Sequence, residues 1–392
     1  MKSTPLQQQG AALRSPPTGA IPFADLSAMT QEVREEVDAS FAQVLDTGRF
    51  IGGAAVARFE DQWAAYCGTT HAVAVANGTD AIQLVLRAMG IGPGDEVVVP
   101  TNTFVATAEA VVLAGAVPRF ADVSPDTLLL TPATLEAALT PRTRAVIVVH
   151  LYGQMADMQA ISGVAAAAGL ALVEDAAQAH GGSWEGRPAG SWGRAGCFSF
   201  YPGKNLGAFG DAGAVVTDDA DLADHIRSMR NHGRSDGSHH DHPVLGTNSR
   251  MDALQAVVLS AKLPRLDAWI AARRAAAARY EALLAGGPVR LVGRACGAGH
   301  AYHLLVARVP DRDRVRRDLA GAGVETGLHY PTPCHLMAPY RRYGAEPLPV
   351  AEHSAGQILS LPLFPHMTHD QVTAVCARLR ELVPAEASSD VA

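Results

Sequence analysis

Leu170-Ala171-Leu172-Val173-Glu174-Asp175-Ala176-Ala177-Gln178-Ala179-His180-Gly181-Gly182 is a short apolar run that ends at a carboxylate and passes into two glycines. Residues Leu170–Glu174 read as a β-strand, with Asp175 directly at its carboxyl end. Working outward, runs of the same kind recur at His71–Ala76, Glu96–Val99, Val117–Ala121, Ala145–Val149, Gly196–Phe200 and Gly213–Thr217. Helix-like segments lie between them: Thr79–Met89, Ala106–Ala114, Thr131–Leu139, Asp157–Ala168 and Asp221–Asn231. Strands joined through helices need crossover connections. The expectation is therefore an α/β fold whose mostly parallel, seven-stranded sheet is covered by helices on both faces.

The pattern changes near residue 260. Leu254–Leu284 is a long Ala- and Arg-rich helical stretch, interrupted by Pro264. Beyond it come a strand at His303–Val309, a helix at Asp311–Ala322, the Pro-rich segment Pro331–Pro349 and a closing helix at Asp370–Val383. This part reads as a smaller α+β domain. The expected organisation is a disordered tail over 1–20, a large domain over 21–260, a small C-terminal domain over 261–384 and a frayed end over 385–392. A chain of 392 residues, 48% hydrophobic, can build two associated cores of this kind.

The bulk properties exclude several classes. A net charge of −7 argues against a nucleic-acid surface, which needs clustered Lys and Arg. Met1–Ala20 is rich in Gln, Pro, Ser and Thr and lacks the apolar core of a signal peptide. No apolar run is long enough to span a membrane. The five cysteines are scattered, with no CxxC pair, which fits a reducing cytoplasm. His232, His239, His240 and His242 lie among Gly, Ser and Asp and read as a solvated loop, not a metal site.

Three motifs at strand ends carry chemistry. Asn77-Gly78-Thr79 joins a strand to a helix, where free N–H groups, the helix dipole and the Thr79 hydroxyl favour a phosphate. Asp175 follows its strand as described, with Gln178 three residues on. Phe198-Ser199-Phe200-Tyr201-Pro202-Gly203-Lys204-Asn205-Leu206-Gly207 sets a lysine in a turn among apolar and aromatic residues, where desolvation lowers its pKa and frees the amine. Each has an ordinary reading too: a turn with an N-cap, a helix cap, a surface lysine. A nucleotide P-loop does not fit, because the glycine spacing is wrong and Asn205 stands where Ser or Thr would hold magnesium. Together the motifs match what pyridoxal phosphate asks of a protein: an imine-forming lysine, a carboxylate for the pyridine nitrogen, a phosphate cradle, a ring-stacking group and a partner for the phenolic oxygen.

The chain resembles the DegT/DnrJ/EryC1/StrS family of sugar aminotransferases, within the fold-type-I pyridoxal-phosphate enzymes. The resemblance runs from about Ile21 to Pro384. It rests on E-D-A-A-Q-A-H-G at 174–181, F-S-F-Y-P-G-K-N-L-G at 198–207, T-N-S-R-M-D-A-L-Q-A at 247–256, G-L-H-Y-P at 327–331 and S-L-P-L-F-P at 360–365, in that order. It implies that Lys204 forms the imine, Asp175 binds the pyridine nitrogen and Gln178 the phenolic oxygen. Gly78, Thr79 and Ser199 would hold the phosphate, with Phe104 and Ala177 on the two ring faces. Asn248 would reach the phosphate from a neighbouring subunit, making the site the property of a homodimer. Tyr201, His329 and Tyr330 would line the sugar pocket, and Arg250 would sit near the nucleotide. Gly203 stands where many relatives carry Thr or another residue, a departure that leaves the lysine undisturbed.

The implied reaction moves an amino group from an amino acid, typically L-glutamate, to the ketone of a nucleotide-linked sugar. The A-A-Q-A-H-G and H-Y-P combination is most similar to enzymes that aminate C3 of a dTDP-linked 3-keto-6-deoxyhexose. The alternatives are C4 amination of a dTDP- or UDP-4-ketosugar, amination of a cyclitol ketone, and a non-enzymatic regulator that keeps the fold. A dehydrating branch of the family carries His in place of the imine lysine, and Lys204 argues against it.

Overall fold

The computed structural model describes residues 19–235, 240–344 and 346–383. Of the expected tails only Gly19 and Ala20 are included, and His239 also lies outside the described residues. The main sheet uses strands β1 (His71–Val75), β2 (Glu96–Pro100), β3 (Val117–Ala121), β4 (Thr143–Val149) and β5 (Ala171–Asp175). After a hairpin of β6 (Ser183–Trp184) and β7 (Arg187–Pro188) it adds β8 (Ala195–Ser199) and β9 (Gly213–Thr217). The order is β1-β9-β8-β5-β4-β2-β3, giving seven strands. Only β9 runs against its neighbours; the other pairings are parallel. The expected α/β architecture is borne out.

The strands are apolar on both faces because both faces are covered, and Val97, Val98, Val146, Ile147 and Val173 are fully buried. Helix starts follow from local caps. Asn77 accepts from the Asp80 N–H at the head of helix Gly78–Ala88, and Asp157 accepts from the Ala160 N–H ahead of Met158–Ala167. Thr131 and Thr134 form a capping box before Pro132–Ala138, with Pro132 at the first helical position. Asp157 therefore stands just outside the helix that sequence periodicity alone begins at that residue.

Four strand ends matter for the site. β1, β2, β5 and β8 all point the same way, so Asn77–Thr79, Thr101–Phe104, Asp175 and Ser199 emerge at one edge of the sheet. Two helices, Leu26–Thr47 and Gly53–Cys67, precede β1. The alternation of strand and helix signals does not bring them out. Their buried stripes (Met29, Val33, Val37 in the first) are narrow and set among Glu, Gln and Arg.

A second core gathers around a three-stranded antiparallel sheet, β10 (Arg290–Leu291), β11 (Leu305–Arg308) and β12 (Ile358–Leu361). Helices Arg312–Gly321 and His369–Leu382 pack on it. Ile21 joins this core as well, through a bridge to Val324. Pro264 sits in a short 3₁₀ turn between helices Ala253–Lys262 and Leu266–Leu284, the break its ring imposes. The second of these helices serves both cores: Leu266 and Ile270 face the first, Ala277, Tyr280 and Leu284 the other. Among the described residues no helix is long and apolar enough to cross a membrane.

Candidate active site

A cavity of about 590 Å³ opens where the strand ends meet the second core, a size suited to small-molecule binding. Its wall on the large-sheet side includes Gly78, Thr79, Phe104, Asp175, Gln178 and Lys204. Ala177, Ser199 and Tyr201 border it too, and His329 and Tyr330 close it from the C-terminal part. Asn248 and Arg250 are the two expected site residues that this chain does not bring to the cavity.

Strand geometry explains the Glu174-Asp175 pair. Neighbouring residues point to opposite faces, so one carboxylate enters the cavity and the other turns away. Glu174 is fully buried and accepts from the N–H groups of Gly190, Trp192 and Gly193 and from His150 Nε2. It braces the loop that leads into β8. Asp175 borders the cavity and is held at both oxygens: Thr107 Oγ1 donates to Oδ2 at 2.7 Å and the Ala177 N–H to Oδ1 at 3.2 Å. Each oxygen keeps acceptor capacity for a further donor. Thr107 in turn lies 2.8 Å from Thr103 Oγ1. Since the Thr107 proton goes to the carboxylate, Thr103 is the donor in that contact. The residues that orient Asp175 were not picked out from sequence, although the i, i+4 spacing of Thr103 and Thr107 at a helix start is a signal that could have found them.

Gln178 is fixed at both ends. Its Oε1 accepts from the Tyr152 N–H at 2.7 Å, and its Nε2 donates to the Tyr330 hydroxyl at 3.0 Å. Tyr152 itself, at φ 66, donates its hydroxyl to the His329 carbonyl at 2.6 Å. His329 Nδ1 meets Ser360 Oγ at 2.8 Å, and its ring stacks on Phe23. Burial, with the Lys204 charge adding to it, pulls the His329 imidazole down to about 4, so it is neutral near pH 7.

Lys204 lies in a turn closed by its own N–H to the Tyr201 carbonyl at 2.8 Å. A Cβ on Gly207 would lie 2.2 Å from the Pro202 carbonyl oxygen, so this loop closes only with glycine there. Desolvation pulls the Lys204 ammonium down to about 8, against an opposing pull from Asp175. Near neutrality a useful fraction of the amine is unprotonated and nucleophilic.

The residues fit pyridoxal phosphate. A Cβ on Gly78 would lie 2.7 Å from Ser199 Cβ, so the ends of β1 and β8 meet here with no room for a side chain. The first-turn N–H groups of Gly78 and Thr79 have no acceptor within their helix and border the cavity, as a phosphate cradle requires. Phe104, 52% exposed, offers a free ring face beside Tyr330 at 5.5 Å. With the amine, the oriented carboxylate and the anion cradle all in one cavity, a covalent cofactor of this shape can be held.

The chain matches the DegT/DnrJ/EryC1/StrS aminotransferase family over residues 31–380. It belongs to that family. The aminotransferase is 47% identical over 369 residues to the dTDP-3-amino-3,4,6-trideoxy-alpha-D-glucose transaminase of Streptomyces venezuelae, covering 93% of this chain and 96% of the relative. It is 45% identical to the UDP-N-acetyl-3-dehydro-alpha-D-glucosamine 3-aminotransferase of Acidithiobacillus ferrooxidans, over 92% and 97% of the two chains. Its fold superposes on the crystal structure of NtdA from Bacillus subtilis, which carries the cofactor PMP, with a TM-score of 0.87. That pair is 32% identical over 93% of this chain and 85% of the other.

Proposed function

We propose that the aminotransferase uses pyridoxal phosphate to move an amino group from L-glutamate to C3 of a dTDP-linked 3-keto-6-deoxyhexose. The observation that carries this is Lys204, with its lowered pKa, in one cavity with an Asp175 held by two hydrogen bonds. Support for the sugar comes from the Streptomyces venezuelae relative, whose name specifies a dTDP sugar bearing nitrogen at C3. The Acidithiobacillus ferrooxidans relative also acts at position 3 but on a UDP sugar, which makes UDP the second reading for the carrier.

When bound, the cofactor supplies an electron sink for charge on the substrate carbon. The chain's residues do the rest. Asp175 would keep the pyridine nitrogen protonated, and Thr107 and the Ala177 N–H hold that carboxylate in place. Gly78, Thr79 and Ser199 would hold the phosphate, Phe104 and Ala177 would lie on the ring faces, and Gln178 would meet the phenolic oxygen. Lys204, whose amine is partly unprotonated near neutrality, would bind the cofactor's aldehyde carbon and would serve as the base that carries the donor's α-proton. Tyr201, His329 and Tyr330 line the sugar pocket. Neutral imidazole and phenol groups suit hydroxyls, and burial raises the Tyr330 phenol well above its ordinary value, so it stays a donor.

Asn248 and Arg250 belong to the reading through a homodimer. Asn248 is exposed and away from this chain's own cavity, where it could add a phosphate contact to a partner's site. The test is a panel of dTDP- and UDP-linked 3- and 4-ketosugars offered with L-glutamate, scored by amino-sugar formation. The dTDP 3-ketosugar should react fastest. A preference for a 4-ketosugar or a cyclitol ketone would overturn the C3 assignment, and an absence of cofactor in the purified protein would overturn the whole reading.

A further inference from the structure

Three cations are buried among the described residues: Lys262, Arg273 and Arg312. Lys262 donates to the Gly207 carbonyl at 2.7 Å and lies over the Phe209 ring. Arg312 pairs with Asp313 at 2.6 Å and reaches the carbonyls of Ala355 and Ile358. Both are satisfied where they stand, and neither borders the cavity.

Arg273 differs. It comes from helix Leu266–Leu284 and borders the cavity beside His303 and Leu363. Its Nη1 donates to the carbonyls of Tyr302, His303 and Leu363, the last at 2.9 Å, while Nε finds no acceptor. No carboxylate pairs with it among the described residues. Desolvation alone acts on the guanidinium, pulling it down to about 10, and leaves it charged near neutrality. A buried cation without an anion is an unbalanced arrangement that an anionic ligand would complete.

The cavity must take two kinds of substrate in turn. An amino-acid donor brings a carboxylate into a site largely closed to water, and a carboxylate there needs a fixed positive charge. A sugar ring brings hydroxyls, which need neutral partners. On the C-terminal wall the imidazoles supply neutral partners: His303 is held well below its ordinary value by burial and by the charges of Lys204 and Arg273, and His329 is held down as described. Among the described residues the one fixed cation on that wall is Arg273, and a guanidinium is suited to a carboxylate.

We infer that Arg273, beside Leu363, is the subsite for a carboxylate of the amino donor. This rests on the aminotransferase reading above. The two half-reactions separate the roles and are followed by the cofactor's absorbance on the holoenzyme. In one, L-glutamate alone converts the pyridoxal to the pyridoxamine form; in the other, the pyridoxamine form meets the dTDP-ketosugar alone. Arg273→Gln should weaken the glutamate half-reaction by about 100-fold, and Arg273→Lys, which keeps the charge but not the fork, by roughly tenfold. The sugar half-reaction should change less than about threefold in both.

Equal loss in both half-reactions with a fallen Tm would make Arg273 a structural brace and overturn the inference, as would a loss confined to the sugar or no loss at all. If Arg273→Gln does not fold, the split in Arg273→Lys decides. The same glutamate-specific loss in Arg250→Gln, with Arg273→Lys unaffected, would overturn it in favour of a partner's residue. A wild-type enzyme that reacts with no amino acid would instead sink the aminotransferase reading before any variant is made, and this inference with it.

Discussion

At the carboxyl ends of β1, β2, β5 and β8 the polar groups of the site are held by other groups of the same chain. Asp175 is fixed by Thr107 and Ala177, Gln178 by Tyr152 and Tyr330, and His329 by Ser360. The segment from Asn231 to Arg250 is organised differently. Arg250 donates to Asn248 Oδ1 at 3.0 Å and to Asn231 Oδ1 at 3.1 Å, Asn248 is exposed, and Leu245 nearby is 84% exposed. The first region is held by hydrogen bonds within the chain, as a preorganised reacting centre requires. In the second, Asn231, Asn248 and Arg250 bond one another away from the cavity, and Leu245 stands in solvent.

The strongest way to break this contrast is at its centre. Lys204→Ala should fold and lose at least roughly 10⁴-fold in turnover, since both the imine and the proton carrier go. Borohydride treatment of the wild type should bleach the imine band and tag one lysine. A tag recovered on any lysine but Lys204 would refute the assignment. Asp175→Asn should lower kcat by more than about 100-fold, or about 2.7 kcal/mol. Near-normal activity would reduce Asp175 to a structural cap.

Preorganisation itself can be tested one bond further out. Thr107→Val removes the donor to Asp175 without changing much volume, and about a tenfold loss in kcat is expected for one hydrogen bond to a charged group. Thr107→Ser should restore most of it, while a loss that Ser does not repair would point to packing.

The loop makes its own prediction. Inactive Lys204→Ala protein mixed with an inactive Asn248/Arg250 double variant should regain activity once subunits exchange. If the site is shared in a homodimer, half the pairs would be mixed with one intact site each, so roughly a quarter of wild-type activity is expected at equal mixing. Demonstrated exchange without recovery would place both residues in service of their own chain.

The smallest effect concerns pH and stability. Burial, reinforced by the Lys204 charge, holds His180 at about 3 and His329 at about 4, below their ordinary 6.5. The unfolded chain therefore binds more protons than the folded one as pH falls through 6.5, and stability present above that value is lost progressively towards pH 4 and below. His329→Asn, which can still bond Ser360, should flatten this acid slope and raise Tm at pH 5 relative to wild type by about 2–4 °C. An unchanged slope would show that these imidazoles are not what acid attacks.

Sequence by itself determined the sheet and the chemistry. Short apolar, β-rich runs between helix-like segments placed the seven strands within one or two residues of β1–β5, β8 and β9. The strand–turn settings of Gly78, Asp175 and Lys204 were legible because backbone rules of glycine, proline and helix ends act locally. Tertiary structure alone decided who holds these residues. Thr107 is 68 positions from Asp175, and Tyr330 is 152 from Gln178. Arg273 looked like one of several arginines on an Ala-rich helix. Its burial against Tyr302, His303 and Leu363 depends on how that helix crosses between two cores. Such pairings are set by packing over long sequence separations, and no local pattern encodes them.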